Sequence, residues 1–539
     1  MAGVADLVVR RLRQSGVSTI FGVPGGGGNL DLIEAAGRTG LPFVLTATEA
    51  AGVVAAIAQS EITGRPGACL TTLGPGAASA ANGVACAMLE RAPVLVFTDG
   101  YARSSAGRFP HQRLDHAALF ASITKASLAL DADGADRIVA DALCTAAASM
   151  PGPVHVDCPA DAFGPSTRRG PSTERSVAAP SSAPADRRSR SERRPEAPAG
   201  LLACRRPLVI AGLGARRPDA AAAIRRLCES RGIPAMVTYK AKGVVPDDHP
   251  WFAGVFTNAA IERPLVERAD LLIGIGFDPV ELIPRPWTVP APIVYCGPWP
   301  VEDRQVPFAH QEIGDCGEAA DRLAAGLSRS DWTGSDVRAA VDEQRRSVST
   351  AGPGFTAQRV VTIVADRLAR TCRVAVDAGA HMFPATVLWP VGEPNGMLIS
   401  NGLSTMGFAL PAAIGAAILE RGRSVVALTG DGGLLMCLGE LATVVRERLR
   451  VIVIVFADES LSLIEIKQQA RQFAPAGVAL GRIDWQQVGR GFGLDVYSAA
   501  DEGSFERAVE AAAAGRGPCL VEARIDPRNY GATLRAVRG

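Results

Sequence analysis

A chain of 539 residues is too long for one hydrophobic core, and at roughly 150 residues per domain it implies three or four units. With 47% hydrophobic and 21% charged residues it is globular, and a formal net charge of +1 gives no electrostatic case for nucleic acid or an anionic membrane surface. The 11 cysteines are scattered singly without C-x-x-C spacing, and there is neither a signal-peptide core nor an apolar run of membrane-spanning length, so a soluble cytoplasmic protein with buried thiols is expected.

The first segment, 1–165, opens on a helical pattern and continues IFGVPGGGGNLDLIEAA, with Gly25 and Gly26 in its glycine-rich turn. A strand-like PFVLTA then leads into Glu49, the only charged residue between Leu41 and Gln59. Taken alone, Glu49 reads as a helix-start carboxylate stabilised by the helix dipole. Gly76 lies in the turn TTLGPGAAS, His111 and Gln112 open HQRLDHAALFASITK, and PGPVHVDCPAD closes the segment. Residues 166–200 are rich in Pro, Ser and Arg and nearly empty of large apolar side chains, the composition of a linker that cannot bury enough surface to fold.

The middle segment, 201–328, carries RPLVIAGLGARR and LLIGIGFD. Gly212 and Gly214 follow a strand, but Arg217 stands where a dinucleotide fingerprint has its third glycine, a weak sign of NAD or FAD. A softer composition break, 329–355, reads as a second linker. In the last segment, 356–539, VAVDAGAHMFP, ISNGLSTMGFALPAAIGAA and VVALTGDGGLLM precede the strand VIVIVFADES. Strands alternating with Ala-rich helical stretches throughout predict an α/β protein of three doubly wound parallel-sheet domains.

The stretch from Val425 to Gln468 is one βαβ unit with a carboxylate, Asp431 or Asp458, at the carboxyl end of each strand. Ligands of doubly wound sheets bind outside those ends, where glycines such as Gly430, Gly432 and Gly433 let backbone N–H groups approach an anion. Two carboxylates beside a phosphate site suit a hard divalent cation such as Mg²⁺. The sequence therefore predicts a metal–diphosphate cradle, with an ordinary Gly-rich crossover as the alternative.

These motifs, in this order over nearly the whole chain, resemble those of the thiamine-diphosphate-dependent enzymes, with acetolactate-synthase-like carboligases the most similar group. Asp431 and Asp458 are 27 residues apart, the family spacing. The resemblance implies thiamine diphosphate and Mg²⁺ as cofactors, with Asp431, Asp458 and the Ser460 carbonyl as metal ligands. It implies Glu49 as the catalytic group that hydrogen-bonds N1′ of the aminopyrimidine and promotes its imino tautomer. Gly25, Gly76, Gly379, Ala380, His381, Ser404, Leu463 and the Gly430–Gly433 turn are implied cofactor contacts, and Met406 is the apolar wedge that bends the cofactor.

The substrate end is set by Gly26, His111, Gln112, Ile464 and Lys467. Simple decarboxylases of this family carry an acidic residue at the first position, a His-His pair at the second and a glutamate in place of Ile464. The expected reaction is therefore 2-keto acid decarboxylation with carboligation of the enamine to an acceptor carbonyl. A non-ligating decarboxylase or an aldehyde lyase is the alternative, and a flavin or NAD oxidoreductase is the reading from another class. The resemblance further implies a homodimer or homotetramer, with Glu49 of one subunit facing Asp431 and Asp458 of the other, and a central domain without FAD.

Overall fold

Short runs of β-branched and other apolar residues form three six-stranded sheets, every strand parallel to its neighbours, and helices cover both faces. The computed structural model describes residues 3–105, 107–163, 203–302, 304–349 and 352–539. The expected linker at 166–200 falls outside the described residues. The first sheet is β1 (Ile20–Val23), β2 (Phe43–Leu45), β3 (Gly67–Thr71), β4 (Val94–Gly100), β5 (Ala126–Ala129) and β6 (Val154–Pro159), in the order β2-β1-β3-β4-β6-β5. The middle sheet is β7 (Pro207–Ala211), β8 (Ala235–Val237), β9 (Phe252–Val255), β10 (Leu271–Ile275), β11 (Ile293–Gly297) and β12 (Phe308–Ile313), ordered β12-β11-β10-β7-β8-β9. The last is β13 (Arg373–Val376), β14 (Met397–Ile399), β15 (Val425–Gly430), β16 (Val451–Ala457), β17 (Asp495–Ala499) and β18 (Cys519–Arg524), ordered β14-β13-β15-β16-β18-β17. The first and last sheets thus share one topology. Central strands such as β3, β13 and β16 are buried along nearly their whole length, as a sheet sandwiched between helices requires.

The first and last domains meet along one helix pair. Helix Glu49–Thr63 is capped by Thr48, whose side chain accepts from Ala51 N–H, and is buried on almost every face. It packs on the wholly apolar helix Ala409–Leu419 at van der Waals closeness: a side chain at Gly415 would lie 2.3 Å from the Ala55 carbonyl oxygen. The Gln59 amide donates to the Gly415 carbonyl at 3.1 Å across the same seam. All three domains converge on Lys240, whose buried Nζ pairs with Glu61 at 2.6 Å and Glu90 at 2.8 Å and donates to the Ile399 carbonyl at 2.8 Å.

One sequence expectation is corrected here. Most of 329–355 is the helix Gly334–Val348, opened by a capping box in which Thr333 and Asp336 satisfy each other's backbone N–H groups. Its polar composition reflects one exposed face; Val337, Gln344 and Val348 are buried, and Gln344 hydrogen-bonds the Val255 backbone in β9 in both directions. All 11 cysteines are free thiols, nine of them buried. Among the described residues no helix is long and apolar enough to cross a membrane.

Candidate active site

In the last sheet β14 lies on one side of β13 and β15 on the other, so the strand order reverses between β13 and β15, where a crevice opens at the carboxyl ends. A cavity of about 280 Å³ occupies this place. Its wall brings together Gly379, Ala380 and His381 after β13, Ser404 and Met406 after β14, Gly430 to Gly433 at the end of β15, and Asp458, Ser460, Leu463, Ile464 and Lys467 after β16.

A side chain at Gly433 would sit 2.6 Å from Asp377 Oδ2 and 2.9 Å from Thr429 Oγ1, two groups that hydrogen-bond each other, and one at Gly432 would displace the Leu461 side chain, 2.7 Å away. Asp431 is buried, its Oδ2 accepting from the N–H groups of Asp458 at 3.2 Å and Glu459 at 2.7 Å, its Oδ1 from Gly432 at 2.8 Å. Asp458 accepts from Ser460 N–H at 3.3 Å and Ser462 Oγ at 2.7 Å. Burial and the charge of Asp431 push the Asp458 carboxyl up to about 7. A buried carboxylate beside a partly buried one whose proton affinity it raises has the chemistry of a donor set for a hard divalent cation, which would remove the repulsion.

His381 stacks on Phe456 at 4.9 Å, and burial lowers its pKa to about 4, so the ring is neutral. Its Nε2 is buried at the cavity wall with no hydrogen-bond partner among the described residues, so it is free to meet a polar ligand atom. Ser404 holds φ +53°, a left-handed conformation that a non-glycine residue adopts at a cost and that turns the backbone of this loop toward the cavity. The loop is fixed from below by Asp377, whose Oδ1 accepts from Gly407 N–H at 2.9 Å and Phe408 N–H at 3.3 Å while Oδ2 accepts from Thr429 Oγ at 2.8 Å. Asp377 was not singled out from sequence, although its place immediately after a buried strand is the signal that finds it.

The first-domain residues gather elsewhere. Glu49 begins its helix half-buried, its carboxylate close to Gly76, and does not line the cavity. Gly25 packs against Asp99 and Thr72, nothing fills the space beside Gly26, and the Gln112 and His111 backbones border Gly74 and the Tyr101 hydroxyl. The chain therefore presents two separate groups of site residues. A link between the domains passes beside Glu49: buried Glu440 accepts from Ala47 N–H at 2.9 Å and Thr48 N–H at 3.0 Å.

Three family models cover most of the chain: the N-terminal TPP binding domain of thiamine pyrophosphate enzymes matches residues 3–119, the central domain 196–323, and the C-terminal TPP binding domain 377–523. The chain belongs to the thiamine pyrophosphate enzyme family. Among curated relatives of this thiamine pyrophosphate enzyme, the catabolic acetolactate synthase of Raoultella terrigena is 28% identical, covering 97% of this chain and 95% of the relative. The isozyme 2 large subunit of acetolactate synthase from Escherichia coli is 28% identical over the same shares. A probable 2-ketoarginine decarboxylase, AruI of Pseudomonas aeruginosa, is also 28% identical, covering 96% and 93%.

Two further features of this acetolactate-synthase-like enzyme bear on its chemistry. His116, His155 and Asp157 have the composition of a metal site, yet Gly74 N–H donates to His116 Nε2 at 3.1 Å, which places the ring proton on Nδ1, 3.0 Å from Asp157. No lone pair at Nδ1 is left for a metal, and the cluster instead holds the Gly74–Gly76 turn beside Glu49. In the middle domain, the turn after β7 is filled by the protein itself: Leu213 N–H donates to Glu281 at 2.9 Å and Gly214 N–H to the Gly276 carbonyl at 2.9 Å. A dinucleotide phosphate at this turn meets a carboxylate and spent donors, which removes the support for an oxidoreductase built on Gly212.

Proposed function

We propose that this protein is a thiamine-diphosphate- and Mg²⁺-dependent enzyme that decarboxylates a 2-keto acid and joins the decarboxylated donor to an acceptor carbonyl. The observation that carries the reading is the single cavity in which the Asp431–Asp458 pair, the unpartnered His381 nitrogen, the strained Ser404 loop and Met406 converge. The residues fit the cofactor: Asp431, Asp458 and the Ser460 carbonyl hold the cation, Gly379 to His381 and Gly430 to Gly433 receive the diphosphate, and Met406 reaches over Gly432 to set the bend. Bound thiamine diphosphate supplies the nucleophilic carbon and the electron sink that 2-keto acid decarboxylation needs.

The protein's part is to orient, neutralise and exclude water. The apolar wall of Leu463 and Ile464 offers no proton where a decarboxylase needs one, which favours carbon–carbon bond formation over release of an aldehyde. Glu49 is the proton-handling group for the pyrimidine ring. Because it lies off the cavity of its own chain, it serves the cavity of a second subunit, in a homodimer or a dimer of dimers. Large apolar side chains near both groups of site residues support such an interface: Leu30 is 55% exposed and Phe109 54% in the first domain, Leu435 41% and Met436 60% in the last.

AruI among the relatives supports a second reading, simple decarboxylation. Incubation of the holoenzyme with a panel of 2-keto acids, with and without aldehyde acceptors, separates the two by mass spectrometry. Ligated products carry the first reading; CO₂ with free aldehyde alone selects the second; no CO₂ from any 2-keto acid refutes both.

A further inference from the structure

The cavity is asymmetric in charge. Its carboxylates stand at the ends of β15 and β16, whereas Lys467 and Arg538 are, among the described residues, the lysine and arginine on its wall. Arg538 ends the C-terminal helix Tyr530–Arg538, whose first residue is buried near Asp431 and Asp458. At 1.5 Å per residue the two helix ends are about 12 Å apart. The far end is anchored on the middle domain, where the Val537 carbonyl accepts from Ala260 N–H at 3.0 Å and Ile261 N–H at 3.3 Å.

Arg538 is oriented but unpaired. Its guanidinium lies over the Phe383 ring, 5.0 Å from the centroid, and its Nε is buried with no hydrogen-bond partner among the described residues. Among the described residues neither Arg538 nor Lys467 pairs with a carboxylate, whereas Arg91 and Arg216, also at domain junctions, pair with Asp278 and Glu61. Burial disfavours the Arg538 cation, Tyr239 partly offsets this, and the nearby charge of Arg285 adds to it. A half-buried guanidinium in that position is relieved by an anion that enters from outside the chain.

We propose that Arg538, together with Lys467, binds a substrate carboxylate that survives the reaction. This rests on the decarboxylating reading above, because a cation pair on the carboxylate that leaves as CO₂ stabilises the ground state and opposes its loss. The retained group is the carboxylate of a 2-keto acid acceptor or a second carboxylate on the donor remote from its keto group. The enzyme then selects acidic substrates over neutral aldehydes.

Two unreactive probes test this by calorimetry on holoenzyme loaded with thiamine diphosphate and Mg²⁺: glutarate for the remote carboxylate, lactate for the acceptor. The wild type binds at least one of them, Arg538→Met binds it roughly 10- to 100-fold more weakly, and Arg538→Lys falls between. Which probe binds identifies the source of the carboxylate. The proposal is overturned if the wild type binds neither probe, if Arg538→Met binds as the wild type does, or if that variant loses affinity for thiamine diphosphate by a similar factor, which would assign Arg538 to the cofactor's phosphates. Probe binding without turnover of any 2-keto acid refutes the catalytic reading while leaving the anion subsite standing.

Discussion

Asp458→Asn removes one of two adjacent carboxylates, the partly buried one, while keeping its shape. Asn can accept from Ser460 N–H through the same oxygen and meet the Ser462 hydroxyl with its amide, so the packing is preserved. In the protein without cation, the Asp458 carboxyl titrates near 7, raised from 3.8 by burial and then by Asp431. A carboxyl whose folded pKa lies above its unfolded value binds its proton more tightly when folded. It imposes no penalty below the unfolded pKa, a growing one as pH rises through the interval, and the full one above 7. A displacement of this size corresponds to about 4 kcal/mol at pH 8 and less than half of that at pH 5.

Asp458→Asn is therefore expected to stabilise the metal-free protein, strongly at pH 8 and weakly at pH 5. Thermal scans at the two pH values measure this, at roughly 2–4 °C per kcal/mol for a unit of this size. Saturating MgCl₂ with thiamine diphosphate stabilises the wild type more than the variant and narrows the gap. A variant less stable than wild type at pH 8 without metal, or a gain of equal size at both pH values, refutes the assignment of this pair as a repelling, cation-seeking site.

Glu49→Gln should leave thiamine diphosphate binding near the wild-type value in calorimetry and lower turnover by roughly 10²- to 10⁴-fold, since it removes a proton relay rather than an anchor; unchanged turnover would discard the role. Asp431→Ala should abolish Mg²⁺-dependent cofactor binding, and undiminished binding would move the cradle elsewhere. Glu440→Ala removes the acceptor of the Ala47 and Thr48 N–H groups, which water can partly replace at these exposed residues, and at about 1 kcal/mol for each lost hydrogen bond it should destabilise the seam beside Glu49. Hydrogen exchange should rise first in residues 45–50, and exchange equal to wild type there would show that the link is idle.

The strands and the placing of Asp431 and Asp458 at one cavity were legible because both obey local rules. Parallel strands buried on two faces read as apolar runs, and a carboxylate after such a run beside glycines has few other uses. The helix at 334–348 was misread as linker because its apolar face is narrow, and its capping box is a stronger signal than its composition. Asp377, Glu440 and Arg538 were missed for another reason. Each acts on a partner distant in sequence: Asp377 on residues 407, 408 and 429, Glu440 on 47 and 48, and Arg538 on a cavity formed by other segments. No spacing rule encodes such pairings, which exist only after the sheets have assembled.

The shared topology of the first and last sheets explains why the site residues fall into two groups. Each sheet has a crevice beside its first strand, and each places an aspartate at the end of its fourth strand in sequence, Asp99 on β4 and Asp458 after β16. In the first domain that aspartate closes the crevice from within: buried Asp99 accepts from Asn29 N–H at 2.8 Å and Gly27 N–H at 3.2 Å, taking the backbone donors that an entering anion needs. In the last domain Asp458 turns instead toward Ser460 and Ser462 beside Asp431, and the crevice stays open as the cavity. The first-domain turn is thus occupied by the chain's own carboxylate while the last domain keeps its cavity open, and Glu49, at the start of its helix beside the first-domain strands, stands off that cavity; the proposed role of Glu49 therefore requires the cavity of a second subunit.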